Sequence, residues 1–200
     1  MNTDIPRPEF DIISGWITPG TRVLDLGCGD GTLLKFLSAD RQINGYGLDI
    51  HPEHVVASIE AGINVIQADL DAGLSDFKSN TFDYVIMTQT LQALHYPERL
   101  LKEMLRVGRE GIVTFLNIGL WRYRLSLALG GVMPAIQSPQ HSLSRENHAF
   151  TLRDFESLCS KLGIKILQRT IVDNNHQAGA LINLFPNLFG AIALYRIGVE

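Results

Sequence analysis

The sequence predicts an α/β fold in three layers, with a mostly parallel sheet covered by helices, and three observations carry that prediction. Short β-branched or apolar runs alternate with segments of helical periodicity along most of the chain. Each of the first four runs ends at or beside a polar residue, the place where open α/β sheets hold their ligands. The first run passes directly into alternating glycines and then into a helical pattern.

Taken in order, an N-terminal helix carrying Ile12, Ile13, Trp16 and Ile17 packs on the sheet before the first strand. Strands are predicted at Arg22–Leu26, Asn44–Asp49, Asn64–Ala68, Phe82–Thr88, Gly111–Phe115, Ile164–Ile171 and Ala191–Arg196. Helices are predicted at Thr32–Ala39, Glu53–Ala61, Pro97–Val107 and Leu152–Leu162. In the third, Leu100, Leu101, Met104 and Leu105 form one apolar stripe, and Pro97 suits a first-turn position. The fourth opens on Thr151 as N-cap and buries Phe155, Leu158, Cys159 and Leu162. From Ile118 to Phe150 paired glycines, prolines and scattered polar residues break the rhythm. This segment, about 118–150, reads as an insertion or lid within one domain spanning residues 1–200, with Arg124–Leu129 as its one helical stretch.

Composition narrows the function classes. Hydrophobic residues are 46% and charged residues 19%, an ordinary globular balance. The net charge of −4 gives no reason to expect nucleic acid or an anionic membrane as partner. Cys28 and Cys159 are far apart and form no CxxC pair, so neither a disulfide framework nor a zinc site is expected, and a reducing compartment is. The N-terminus lacks the basic and apolar regions of a signal peptide. The most apolar stretch, 178–195, is interrupted by Asn183, Pro186 and Asn187. The expected location is the cytoplasm.

The run Val23-Leu24-Asp25-Leu26-Gly27-Cys28-Gly29-Asp30-Gly31-Thr32-Leu33 carries the chemistry. Glycines are required where the backbone turns tightly or a ligand approaches main-chain atoms. The dinucleotide fingerprint wants a sixth-position glycine, and Thr32 stands there. The spacing is instead G-x-G-x-G, with Asp25 two residues before it. A carboxylate there repels a pyrophosphate but tolerates a ligand bearing an amino group and a sulfonium. The charge logic therefore prefers S-adenosyl-L-methionine (SAM) to a nicotinamide cofactor. Asp49, ending the second strand, is placed to accept both ribose hydroxyls, and Asp69, after the third, to accept from the adenine amine. Ile50 and Leu70 supply apolar walls for the base. With Gly27, Cys28 and Gly29 of the loop and Gln89 at the end of the fourth strand, these acids and walls complete the expected cofactor-binding set.

These residues resemble the class I SAM-dependent methyltransferases. More narrowly, the chain resembles the MetW-type methionine-biosynthesis proteins. The resemblance is carried by Val23–Leu33, by Val65 to Asp71, by Phe82 to Leu94, by Glu103 to Val113 and by Thr151 to Glu156. It implies a Rossmann-like, seven-stranded sheet, mostly parallel with an antiparallel last strand. It also implies SAM as cofactor, with S-adenosyl-L-homocysteine (SAH) as product if the chain turns over. A role in methionine biosynthesis beside homoserine O-acyltransferase follows from it as well. The chain departs from the family in Leu116-Asn117-Ile118-Gly119-Leu120-Trp121-Arg122, where the family's Phe and His are replaced.

Other features read as structural. Arg99, Lys102 and Arg106 share a helix face expected to be solvated. His51 and His54 read as a surface pair at a helix start, not as metal ligands. Gln89, Gln92 and His95 follow the fourth strand without forming a diagnostic motif, so no catalytic residue is assigned. Two functions stay open: a SAM-binding subunit that supports or regulates the acyltransferase, and a methyltransferase acting on a small molecule or protein.

Overall fold

The computed structural model describes residues 8–131, 149–173 and 179–199. Their seven strands are β1 (Arg22–Leu26), β2 (Asn44–Asp49), β3 (Asn64–Gln67), β4 (Phe82–Thr88), β5 (Gly108–Leu116), β6 (Lys165–Val172) and β7 (Ile192–Gly198). They form one sheet in the order β3-β2-β1-β4-β5-β7-β6. Pairing is parallel from β3 through β5, and β7 runs antiparallel to both its neighbours. This is the expected Rossmann-like sheet with an antiparallel last strand.

Side chains alternate across the strands, so one sequence feeds two cores. Leu24, Leu26, Leu48, Val85, Met87 and Phe115 face one side. There they meet α4 (Pro97–Val107) and α6 (Leu152–Leu162). Val23, Ile86, Ile112 and Leu194 face the other, under α1 (Pro8–Trp16) and α2 (Thr32–Arg41). The stripe Leu100, Leu101, Met104 and Leu105 on α4 is buried as its spacing requires. A capping box starts α6, with Thr151 and Asp154 satisfying each other's backbone donors, and left-handed Gly163 ends it. Phe115 of β5 stacks parallel to Tyr195 of β7 at 5.8 Å, and Phe155 of α6 lies 4.7 Å from the same ring.

Several elements differ from expectation. Strand β5 begins at Gly108, because Phe82 pairs with it, and runs on to Leu116, because Ile192 pairs there. Helix α3 (Pro52–Glu60) begins one residue early, on its proline. Between β3 and β4, where no helix is predicted, a 3-10 turn at Leu70–Ala72 leads into an irregular stretch. Arg106 fastens that stretch, correcting the solvated-face reading. Its guanidinium forms a two-pronged ion pair with Glu103 and donates to the carbonyls of Leu74 and Phe77. That partner holds the Glu103 carboxyl below its ordinary range.

Within the expected insertion, Trp121–Gly130 is a helix (α5), longer than the stretch anticipated, and residues 132–148 lie outside the described residues. The apolar run near the C-terminus contains two short helices, α7 (Ala180–Leu184) and α8 (Pro186–Phe189), with Pro186 at a permitted first-turn position. Among the described residues no helix is long and apolar enough to cross a membrane.

Candidate functional site

The site grows from the turn between β1 and α2. Gly27, Gly29 and Gly31 all have positive φ, at 77°, 58° and 77°. A side chain at each would cost backbone strain. Two of them are also tight in space: a Cβ on Gly27 would collide with the Thr90 hydroxyl, and one on Gly31 would lie 3.0 Å from Ser58 Oγ. The amides of Gly27 and Cys28 donate to the Leu48 carbonyl at 2.8 and 3.0 Å, drawing the loop against the end of β2. Ser58 Oγ adds a bond to the Gly29 carbonyl at 3.0 Å.

Cys28 turns its side chain away, into the apolar layer beneath α2 and onto Gly47, where a Cβ would clash. Burial pushes its thiol up to about 12, so it is inert at neutral pH. Only its backbone remains available to a ligand.

Asp49 is almost fully buried, and it organises the floor. Its Oδ2 accepts from Gly29 N at 2.9 Å. Its Oδ1 accepts from His51 N at 2.9 Å and faces His54 Nδ1 at 3.1 Å. His54 is thus a partner of the site, which the surface-pair reading missed. Asp25 is 1% exposed, and neither of its oxygens has a hydrogen-bond partner among the described residues. Burial, and then the nearby charge of Asp49, raises its carboxyl to about 7.

On the far wall, Asp69 caps the 3-10 turn by accepting from Asp71 N. Asp71 accepts from the amides of His95 and Tyr96, and from His95 Nδ1 at 2.7 Å. These bonds tie the chain after β3 to the chain after β4. The cavity they enclose measures about 220 Å3.

Of the predicted residues, Gly27, Asp49, Ile50, Asp69 and Leu70 line this cavity. Gly29 stands behind it, bonded to Asp49, and Asp25 stands behind it at the end of β1. Gln89 lies off the lining, just past β4, in left-handed backbone (φ 55°) with its amide on the Thr114 carbonyl. A non-glycine residue in that region is uncommon. The cavity also takes in His95, which sequence reading placed after the fourth strand without assigning it a role, and Asp71, Thr90, Ala93 and Leu94, which it did not select. For Thr90, Ala93, Leu94 and His95 the signal was positional: β4 adjoins β1, so the residues after β4 must face the glycine loop. Gln92 is structural, exchanging two hydrogen bonds with the Leu116 backbone. Among the described residues no group of three or more His, Cys, Asp or Glu side chains is placed to hold a metal ion.

Known proteins are similar to this chain in parts of its sequence and in its fold. The chain is 42% identical over 109 residues to the bifunctional methionine biosynthesis protein MetXA/MetW of Rhodopirellula baltica, covering 50% of this chain and 18% of that protein. It is 33% identical over 100 residues to the 2-methyl-6-phytyl-1,4-hydroquinone methyltransferase of Synechocystis, covering 48% of this chain and 31% of that protein. The chain therefore spans less than a third of the length of the curated relatives it matches. In fold it is similar to the magnesium protoporphyrin IX methyltransferase of Synechocystis solved with bound SAH. The TM-score is 0.69 at 18% identity, over 96% of this chain and 82% of that one. A family model described as Methionine biosynthesis protein MetW matches residues 7–197, and the chain belongs to that family.

Proposed function

We propose that the cleft binds SAM and that the chain serves methionine biosynthesis as a SAM-binding subunit, acting with or regulating homoserine O-acyltransferase. The observation that carries the cofactor is Asp25, a buried carboxyl without a hydrogen-bond partner among the described residues, behind a glycine loop. Such a group is costly unless a cation or donor meets it, and SAM brings an ammonium and a sulfonium. Asp49 would accept from the ribose, Ile50 and Leu70 would flank the base, and Asp69 Oδ2 would accept from its amine. Gly27 and Gly29 would let the ligand approach main-chain atoms, and the Cys28 and Gln89 backbones would complete the cradle. When bound, SAM supplies an electrophilic methyl group.

The partner rests on the Rhodopirellula relative, whose name joins MetXA to MetW in one protein. Trp121 and Arg122, at the start of α5, are suited to such a contact. Trp121 is 42% exposed, and the Arg122 guanidinium lies 5.6 Å from its ring. Arg124, further along the same helix, is engaged with the Gly119 carbonyl. The methyltransferase reading draws on one observation, the His95–Asp71 pair on the cavity wall, in which a carboxylate orients an imidazole beside the cofactor.

Calorimetry with SAH tests the cofactor. Binding should add about 2.7 kcal/mol of stability at a hundredfold excess over Kd. NADH should add nothing, and the reverse pattern overturns the reading. Titrating the acyltransferase with the Trp121→Ala/Arg122→Ala chain tests the partner: SAH affinity should hold while partner affinity falls. Turnover of labelled SAM by the chain alone would move the conclusion to the enzyme.

A further inference from the structure

A second cavity, of about 400 Å3, opens beyond β5 between the start of α6, strand β6 and residues 184–188. That volume falls within the range of small-molecule sites. Its charge is opposite to that of the cofactor cleft. Among the described residues, Arg124, Arg153 and Arg169 line it with a single acid, Glu156, in a chain whose net charge is −4. Glu156 is already committed, since its Oε1 accepts from Arg169 Nη1 at 2.7 Å and from the Tyr195 hydroxyl at 2.9 Å.

Arg124 and Arg169 are held in place. Arg124 donates from Nε to the Gly119 carbonyl at 2.6 Å and from Nη2 to the Asn187 carbonyl at 3.5 Å. These two bonds use two of its five N–H donors. Arg153 sits in the first turn of α6, where the positive end of the helix disfavours a cation. A residue that breaks this local rule beside two further arginines is better explained by a ligand than by stability. Next to the charges, Leu184 and Phe185 are 68% and 53% exposed, so one side of the mouth is apolar.

The wall is built before any ligand arrives. Asn117 is fully buried; its amide donates to the carbonyls of Gly190 at 2.8 Å and Asn187 at 3.3 Å, and its oxygen accepts from Gly119 N. Asn187 in turn accepts from Leu152 N. A preformed wall avoids the entropic cost of ordering it on binding.

We propose that this cavity binds a small amphipathic anion, a carboxylate or phosphate monoester on an apolar body, at a site separate from the cofactor cleft. Guanidinium forks match either headgroup, and Leu184 and Phe185 would cover the body.

The test is calorimetry on the full chain at low salt with hexanoate, hexyl phosphate and hexylamine. One equivalent of at least one anion should bind and hexylamine should not; the tighter anion identifies the headgroup. Arg153→Ala should weaken that anion by about tenfold or more, the effect of losing a hydrogen bond to a charged group. Arg153→Lys should recover part of the loss. Phe185→Ser should weaken hexanoate more than acetate. Both positions are solvent-exposed, so the variants should fold, and SAH titrated into each should bind as in the parent. That control separates failure here from failure of the cofactor reading. Absence of binding by both anions overturns the proposal, as does equal binding of hexylamine or an Arg153→Ala chain that keeps full affinity.

Discussion

The cleft beside β1, β2 and β4 and the cavity beside β5, β7 and β6 belong to different halves of one sheet, and they are made by different means. The cleft is acidic, gathering Asp25, Asp49, Asp69 and Asp71 around a turn of three left-handed glycines. The cavity is basic, and its wall hangs on Asn117, whose amide reaches carbonyls 70 and 73 residues further along the chain. One is a backbone device written in consecutive residues; the other is assembled from tertiary hydrogen bonds. The two should therefore fail differently when disturbed.

Gly27→Val should show the largest failure on the cleft side. It places a β-branched residue at φ 77° and drives its Cβ into Thr90. The backbone term is about 1–2 kcal/mol and the overpacking term about 1–3 kcal/mol. The melting temperature should fall accordingly and SAH binding should vanish. Gly163→Val is the control, because its φ of 68° carries a similar backbone cost with open space around the Cβ. If both variants melt alike, the close approach of Thr90 is not what the cleft depends on.

Asp25 gives the next effect, with a sign that can be worked out. Its folded value of about 7 lies above the 3.8 of a free carboxyl, mainly through burial. Between those values the folded chain holds a proton that the unfolded chain has released, so stability falls as pH rises from about 4 to 7 and levels off above. The upper bound on the loss is about 4 kcal/mol, and Asp25→Asn should abolish it. An ammonium facing Asp25 selects the ionised form, so the affinity for SAH, which keeps the ammonium, should rise by up to about tenfold per pH unit toward pH 7. Denaturant melts and calorimetry at pH 5, 6, 7 and 8 measure both slopes. Matching slopes in Asp25→Asn would remove Asp25 from the cleft's electrostatics.

The same contrast explains what was legible in the sequence. The strand ends at Leu26, Asp49 and Thr88 and the helix limits of α4 and α6 follow from local periodicity, Pro97 and the Thr151 cap. The glycine loop with Asp49, Ile50, Asp69 and Leu70 was readable because each is fixed by its distance from a strand end. Thr90, Ala93 and Leu94 were not, because only the adjacency of β4 and β1 brings them to the loop. Arg106 looked solvated because its partners, the Leu74 and Phe77 carbonyls, lie 32 and 29 residues away and are main-chain atoms without sequence identity. Helices α7 and α8 are too short for a periodic signal.

Asn117→Ala sharpens the comparison from the other side. It strips the Gly190 carbonyl and the Gly119 amide of their side-chain partner in a buried setting, at about 1–3 kcal/mol. Affinity for hexanoate should drop as the Asn187 wall loosens, while SAH affinity should change little, since Gln92 independently clamps Leu116 between the two sites. Equal losses of both ligands would mean that the two regions move as one.

The smallest effect should come from His54→Ala, and it probes the capacity of Asp49. An ionised carboxylate offers about four acceptor positions. Three are occupied, by Gly29 N, His51 N and His54 Nδ1. A ribose presenting two hydroxyls therefore meets a carboxylate with room for one, unless His54 yields. Removing the imidazole leaves both backbone bonds, so the loop should keep its shape and the unfolding free energy should change by less than about 1 kcal/mol. The freed position on Oδ1 should then strengthen SAH binding by a few-fold, roughly the net contribution of one hydrogen bond. The 2′-deoxy analogue of SAH, with a single hydroxyl to place, should gain nothing from the substitution. A His54→Ala chain that binds both ligands more weakly would show that the imidazole holds Asp49 for the ribose and does not compete with it.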